Sequence, residues 1–105
     1  MSKGDHLMSS IAIEKEISET SGRYVARIDG REGEAEITFT VLGPDLIRAD
    51  HTNAPETLQG TGAAKALVEF MVADARKAGF TVIARCPYVR AQEEKNPDWD
   101  DVVTR

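Results

Sequence analysis

The sequence predicts a mixed α/β (α+β) fold, in which a mainly antiparallel sheet of about five strands carries one long helix and one short C-terminal helix. From Ser10 to His51, apolar and polar residues alternate with a period of two, which is typical of strands with one buried face. From Ala64 to Ala78, apolar residues recur at every third or fourth position, as on the buried face of a helix. A further strand pattern follows, so we expect one parallel pair in this sheet.

The first half of the chain predicts four strands in an antiparallel meander. They are expected at residues 11–17, 24–28, 34–41 and 46–51. Turn sequences separate the last three strands, because Gly30, Gly33 and the Gly43-Pro44-Asp45 segment suit tight reversals. In the fourth strand, the alternation places Ile47, Ala49 and His51 on one face.

The second half predicts a helix, a strand and a short helix. Gly79 should end the long helix in a left-handed conformation. Phe80 to Cys86 is expected to be the fifth strand, with Val82, Ala84 and Cys86 on one face. Residues 88–95 suit a short helix that Asn96-Pro97 would end, and Trp99 is expected to pack back on the domain.

Size, charge and cysteine content limit the classes of function. The 105 residues are 41% hydrophobic and 30% charged, so we expect residues 10–105 to form one domain after a flexible arm of residues 1–9. A formal net charge of −5 argues against nucleic acid as a direct partner. With Cys86 as the single cysteine, no intrachain disulfide can form, and no metal site is expected.

Two further absences bear on the location of the protein. The sequence has no apolar run long enough to cross a bilayer and no secretory signal pattern. We therefore expect a cytoplasmic protein without a membrane partner. We also expect a monomer or a weak dimer.

The loop before the long helix, Gln59-Gly60-Thr61-Gly62-Ala63-Ala64, suggests an anion site. Glycine lets a backbone approach a phosphate closely, and the first turn of a helix offers unpaired N–H groups. A Walker loop would need lysine followed by a hydroxyl residue, whereas Lys65 comes too late and has no such neighbour. A dinucleotide fingerprint would need a small residue at Lys65 and a larger sheet. An ordinary helix start remains the alternative.

The same loop carries a family resemblance. Gln59-x-x-Gly62-x-Ala64 matches the Gln/Arg-x-x-Gly-x-Gly/Ala motif, and the chain resembles the GNAT acetyltransferase superfamily. The ordered set of further motifs is similar to a small single-domain GNAT-like family that carries a cysteine after its fifth strand: His51-Thr52, Leu58 to Gly62, Cys86-Pro87-Tyr88-Val89 and Asn96-Pro97. The chain departs from the family pattern at Ala63-Ala64 and at Asn53-Ala54-Pro55.

The resemblance implies an acetyl-CoA-dependent N-acetyltransferase that acts on an amine, either a protein or peptide lysine or a small amine. It implies that the fourth and fifth strands part at their C-terminal ends and that the pantetheine arm of coenzyme A fills the gap. The cofactor-binding residues that it implies are Thr52, Asn53, Gln59, Gly60, Thr61, Gly62, Ala63, Ala64, Lys65 and Tyr88.

Two residues are candidates for catalysis. Parallel strands joined by one helix end on the same side, so His51 and Cys86 are expected to reach the same edge of the sheet. They would act as a base and a nucleophile, since the thiolate is the reactive form of cysteine, or as a base and a positioning group for direct attack by the amine. Cys86 could instead only pack in the core. Tyr88 would protonate the departing thiolate of coenzyme A or pack against the helix.

Two other classes of function compete with the enzyme. A regulatory acyl-CoA-binding module would keep the Gly60–Ala64 loop with little or no turnover. A structural interaction domain would carry the loop only as a turn. The acidic runs at residues 14–19, 93–94 and 98–101 suit solvated faces or the steering of a cationic acceptor.

Overall fold

A six-stranded sheet, with its strands in sequence order, is the framework of the computed structural model, which describes residues 11–105. The strands are β1 (Ile11–Ile17), β2 (Ser21–Ile28), β3 (Ala35–Gly43), β4 (Leu46–Asn53), β5 (Thr81–Ala84) and β6 (Val103–Thr104), and the helices are α1 (Ala63–Ala78) and α2 (Pro87–Lys95). The predicted fold class is confirmed, with one strand more than expected. The predicted N-terminal arm lies outside the described residues.

Strands β1 to β4 form the predicted antiparallel meander. The alternation in β3 holds, because Ala35, Ile37 and Phe39 are at most 1% exposed. Gly30 and Gly33 have φ values of 80° and 85°, which confirms that the turn between β2 and β3 uses the left-handed region.

Helix α1 packs its apolar face on β2 and β3. That face consists of Ala63, Leu67, Val68, Met71, Val72 and Ala75. Ala78 was expected on it but is exposed, and Ala64 is only partly buried. Gly79 ends the helix as predicted, with a φ of 84° and its N–H group bonded to the Ala75 carbonyl at 2.8 Å.

The C-terminal part of the chain adds β5 and β6 to the sheet, beyond β4. β5 pairs in parallel with β4 on one side and with β6 on the other. It is shorter than predicted, since it ends at Ala84, and Cys86 instead precedes the first residue of α2. Trp99, in a short 3₁₀ turn (Pro97–Asp101), is buried as expected. Between residues 11 and 105, every helix is too short or too polar to span a membrane.

Candidate active site

A β-bulge in β4 determines which site residues share a face. Phe39 pairs with Ala49, but the next residue back along β3, Thr38, pairs with His51, so Asp50 is an extra residue in β4. The insertion shifts the side-chain alternation by one position. The prediction that His51 shares the face of Ala49 is therefore wrong: His51 pairs on the outer face, away from α1, and is exposed.

The bulge brings Thr52 to the cysteine in place of His51. Thr52 pairs with the buried Ile37, and its Oγ1 lies 3.2 Å from the Sγ of Cys86. Cys86 is only 3% exposed, on the same face as Val82 and Ala84, as the strand pattern predicted. This hydrogen bond could not be predicted from the sequence, because the run of four polar residues at 50–53 does not show where a bulge occurs.

Strands β4 and β5 part beyond Ala49. The pairing with β5 covers only Leu46–Ala49, whereas β4 continues to Asn53. The Ala49 carbonyl accepts the N–H groups of both Arg85 and Cys86, at 3.1 and 3.0 Å, where the chain turns away from β4. Residues 50–53 thus have no β5 partner, which agrees with the parting that the family resemblance implies.

The loop before α1 presents backbone N–H groups. Gly60 and Gly62 have φ values of 79° and 83°, and an added Cβ would meet no atom within 4 Å at either position. Within the described chain, the N–H groups of Gly60, Gly62, Ala64 and Lys65 have no acceptor. The first turn of α1 has no acidic residue. Space, unpaired donors and the positive end of the helix fit a phosphate.

Thr61 is the exception in this loop, because its hydroxyl is used within the protein. It donates to the Leu58 carbonyl and accepts the N–H group of Ala63 at 3.3 Å. The side chain of Thr61 therefore holds the loop in shape, and its own N–H group is also bonded within the loop, to the Leu58 carbonyl at 3.3 Å.

A cleft of about 300 Å³, named here the inner cleft, lies at this loop. It is lined by most of the predicted cofactor-binding residues and their neighbours: Ala54, Leu58, Gln59, Gly60, Gly62, Ala63, Ala64, Lys65 and Tyr88. Desolvation, with a contribution from the charge of Glu69, raises the pKa of Tyr88, so its phenol stays protonated near neutral pH. Thr52 and Asn53 do not line the inner cleft; they lie at the end of β4 that has no β5 partner.

A second cleft, of about 370 Å³, lies on the other face of the sheet and is named here the outer cleft. It is lined by Thr38, Arg48, Asp50, His51 and Arg85. Sequence reasoning found only His51 among them. A larger cleft of about 680 Å³ beside the turn between β2 and β3 contains none of the predicted site residues.

Asp50 is held firmly at the edge of the outer cleft. Its Oδ1 accepts the Arg48 Nε at 2.6 Å, and its Oδ2 accepts the Thr40 hydroxyl at 2.7 Å. Desolvation alone would raise the pKa of Asp50, but these hydrogen bonds and the charge of Arg48 outweigh it and hold the pKa below its usual value. Asp50 therefore stays ionised and paired at neutral pH.

Known proteins resemble this chain both in overall structure and at the level of a sequence family. The chain is similar in structure to a GCN5-like protein from Staphylococcus aureus solved by NMR, with a TM-score of 0.65 and 29% sequence identity over 91% of this chain and 90% of that one. No curated protein matches the sequence. The family model of GCN5-related N-acetyl-transferases matches residues 23–102. The chain therefore belongs to the GCN5-related N-acetyltransferase family and is an acyltransferase.

Proposed function

We propose that this enzyme transfers the acetyl group of acetyl-CoA to the amine of a protein or peptide lysine or of a small molecule. The observation that carries the proposal is the group of unpaired N–H donors at the start of α1, beside the gap between β4 and β5. Family membership favours an enzyme over a regulatory binding module. The fit of the loop to a phosphate disfavours a purely structural domain.

The pyrophosphate and the pantetheine arm of coenzyme A would be held by different parts of the chain. The pyrophosphate would bind the unpaired N–H groups of Gly60, Gly62, Ala64 and Lys65, with the Lys65 ammonium adding positive charge. Residues 50–53 of β4 have no β5 partner, and the backbone N–H and C=O groups on that side would bind the amides of the pantetheine arm. Thr52 and Asn53 belong to this segment and would therefore contact the cofactor.

The chemical step would then need one base and one acid. The amine nitrogen attacks the carbonyl carbon of the thioester, the C–S bond breaks, and the sulfur leaves as a thiolate. His51, which is exposed in the outer cleft, would accept the proton that the amine loses, directly or through a water molecule. Tyr88, whose phenol is protonated, would donate a proton to the departing thiolate.

Cys86 is the nucleophile of the alternative, covalent route. In that route its sulfur would carry the acetyl group before the amine attacks, and a base would have to remove the thiol proton. The hydrogen-bond partner of the thiol is the hydroxyl of Thr52, which is not a base at neutral pH, and His51 lies on the other face. These contacts favour direct transfer.

Two substitutions separate the routes. For direct transfer we expect His51→Gln to lower kcat by roughly a hundredfold, the usual lower value for loss of a general base. Cys86→Ala should keep most of the activity, apart from the effect of a small cavity. Acetylation of an amine panel would be followed by mass spectrometry, together with the intact mass of the protein after exposure to acetyl-CoA alone.

The same data would reveal the covalent route. One acetyl group on the wild type but not on Cys86→Ala, together with loss of turnover in that variant, would overturn direct transfer. Thermal stabilisation by coenzyme A serves as the control, because both variants should retain it if the inner cleft is intact.

A further inference from the structure

We propose that the outer cleft is the acceptor site and that it selects an amine that also carries a carboxylate, which pairs with Arg85. The inference rests on the proposed acetyl transfer and adds the chemical class of the acceptor. It is drawn from three features of the cleft: its position, its unused charge and its size.

The position of the outer cleft connects it to the gap between the parting strands. Asp50 and His51 belong to the end of β4 that has no β5 partner, and Arg85 directly follows β5. Thr52 and Cys86, the next residue in each case, meet on the opposite face of the same two strands. An acceptor in the outer cleft would therefore face a thioester held in the gap, with His51 beside its amine.

The charge of the cleft points to an anion. Arg48 is paired with Asp50, so these two charges compensate each other. Arg85 is exposed, and its guanidinium has no acceptor or ion-pair partner within residues 11–105. The planar guanidinium of arginine matches a carboxylate through two parallel hydrogen bonds. The Arg85 guanidinium is therefore a positive charge without a partner among residues 11–105, although the protein as a whole is acidic, with a net charge of −5.

Asp50 could in principle recognise a cation instead, but its contacts disfavour this. Each of its oxygens already accepts a hydrogen bond, from Arg48 and from Thr40, and its side chain is only 19% exposed. An ammonium group would have to compete with the Arg48 guanidinium for the same carboxylate. We therefore assign Asp50 to holding Arg48 and not to binding the acceptor.

The size of the cleft suits a small carboxylate-bearing amine or one acidic residue beside a lysine. A volume of about 370 Å³ lies at the low end of the range for small-molecule sites. Both sources share the same chemistry, a carboxylate near the reacting amine. Matched acceptors that differ only in this group can therefore test the inference and tell the sources apart.

The experiment compares two acceptor pairs with the full chain and acetyl-CoA. One pair is Nα-acetyl-lysine and its carboxamide; the other is a blocked Lys-Glu peptide and the same peptide with Gln. In at least one pair we expect about tenfold higher kcat/KM for the carboxylate member, the factor that a charged hydrogen-bonded pair supplies. The pair that shows this preference identifies the source of the carboxylate.

Three variants make the assignment specific to Arg85. Arg85→Gln should abolish the preference, and Arg85→Lys should retain part of it through charge alone. Lys95→Gln removes an exposed cation of α2 that lines neither cleft, and it should behave as the wild type.

The outcomes distinguish this inference from the proposed function. Equal kcat/KM within both pairs, or a preference that survives Arg85→Gln, overturns the inference and leaves acetyl transfer standing. Bound coenzyme A without turnover of any of the four acceptors also overturns it. If thermal shift shows no binding of coenzyme A and no amine is acetylated, the proposed function itself fails.

Discussion

Gly62 combines a left-handed backbone conformation with a place in the proposed phosphate site. Its φ of 83° lies in the left-handed region, and the side where a Cβ would project is open. Its N–H group is one of the four unpaired donors at the start of α1. Any side chain would be strained there and would stand where we place the pyrophosphate.

We therefore predict that Gly62→Ala weakens coenzyme A binding. The matched control is Gly30→Ala in the turn between β2 and β3, where φ is 80° and the space is equally open. Both should lose about 1 to 2 kcal/mol of unfolding free energy, since the left-handed conformation disfavours a Cβ. Only Gly62→Ala should also lose the rise in Tm that coenzyme A causes. An equal rise in Tm for both variants would contradict the phosphate site.

The two catalytic candidates show which properties of a single residue can be predicted from the sequence. Alternation predicted that Cys86 shares a face with Val82 and Ala84, and the structure adds that this face is buried, with Cys86 3% exposed. The predicted face of His51 is wrong because one inserted residue, Asp50, reverses the side-chain alternation of β4. Nothing in a polar segment marks such an insertion, since no apolar residue there shows which side is buried.

A polar contact in the C-terminal half of α1 links this helix to β1 and β2. The Asp74 carboxylate accepts the Lys15 ammonium at 2.8 Å and the Tyr24 hydroxyl at 2.7 Å. Desolvation would raise the pKa of Asp74, but these two hydrogen bonds and the charge of Lys15 outweigh it and lower the pKa. The ionised form is therefore the one that stabilises the fold.

This contact predicts a stability that depends on pH. A lowered pKa in the folded state stabilises above the unfolded value of about 3.9, and the benefit is lost as the pH falls through the folded pKa. Asp74→Asn should cost about 1 kcal/mol at pH 7, because the pair is partly exposed. The difference from the wild type should shrink as the pH falls from about 5 to 2 in urea unfolding.

Asp29→Asn is the control for this effect. Asp29 lies in the turn between β2 and β3, and its side chain has no hydrogen bond or ion pair in the part of the chain described. It should change the unfolding free energy little at any pH. A gap between the wild type and Asp74→Asn that stays constant down to pH 2 would rule out the carboxylate as the source.

At the scale of helices and strands, the sequence predicted those elements that are long enough to show a period. The four-stranded meander, α1 and α2 all have enough residues for a period to be visible, and all are present. β6 has only two residues, Val103–Thr104, which is too few for any alternation. Its formation depends on the open edge of β5 and on Trp99 packing back, which are tertiary effects.

In the whole molecule, the candidate site arises from an interrupted sheet. β5 leaves β4 after Ala49, and the gap opens to the inner cleft on the face of α1 and to the outer cleft on the other face. The motif of Gln59, Gly62 and Ala64 located the first cleft, because glycines before a helix have a recognisable pattern. The second cleft combines residues from two strands, β3 and β4, with Arg85 from the segment after β5, so no local sequence pattern could have located it.

The most direct test of acetyl transfer is the stoichiometry of its products. The protein would be incubated with acetyl-CoA and an amine acceptor, and free coenzyme A and acetylated amine would be quantified together by mass spectrometry. We expect equal amounts of the two products over many turnovers, with the mass of the protein unchanged. Intact acetyl-CoA and unmodified amine, under conditions where coenzyme A binds, would contradict the proposed function.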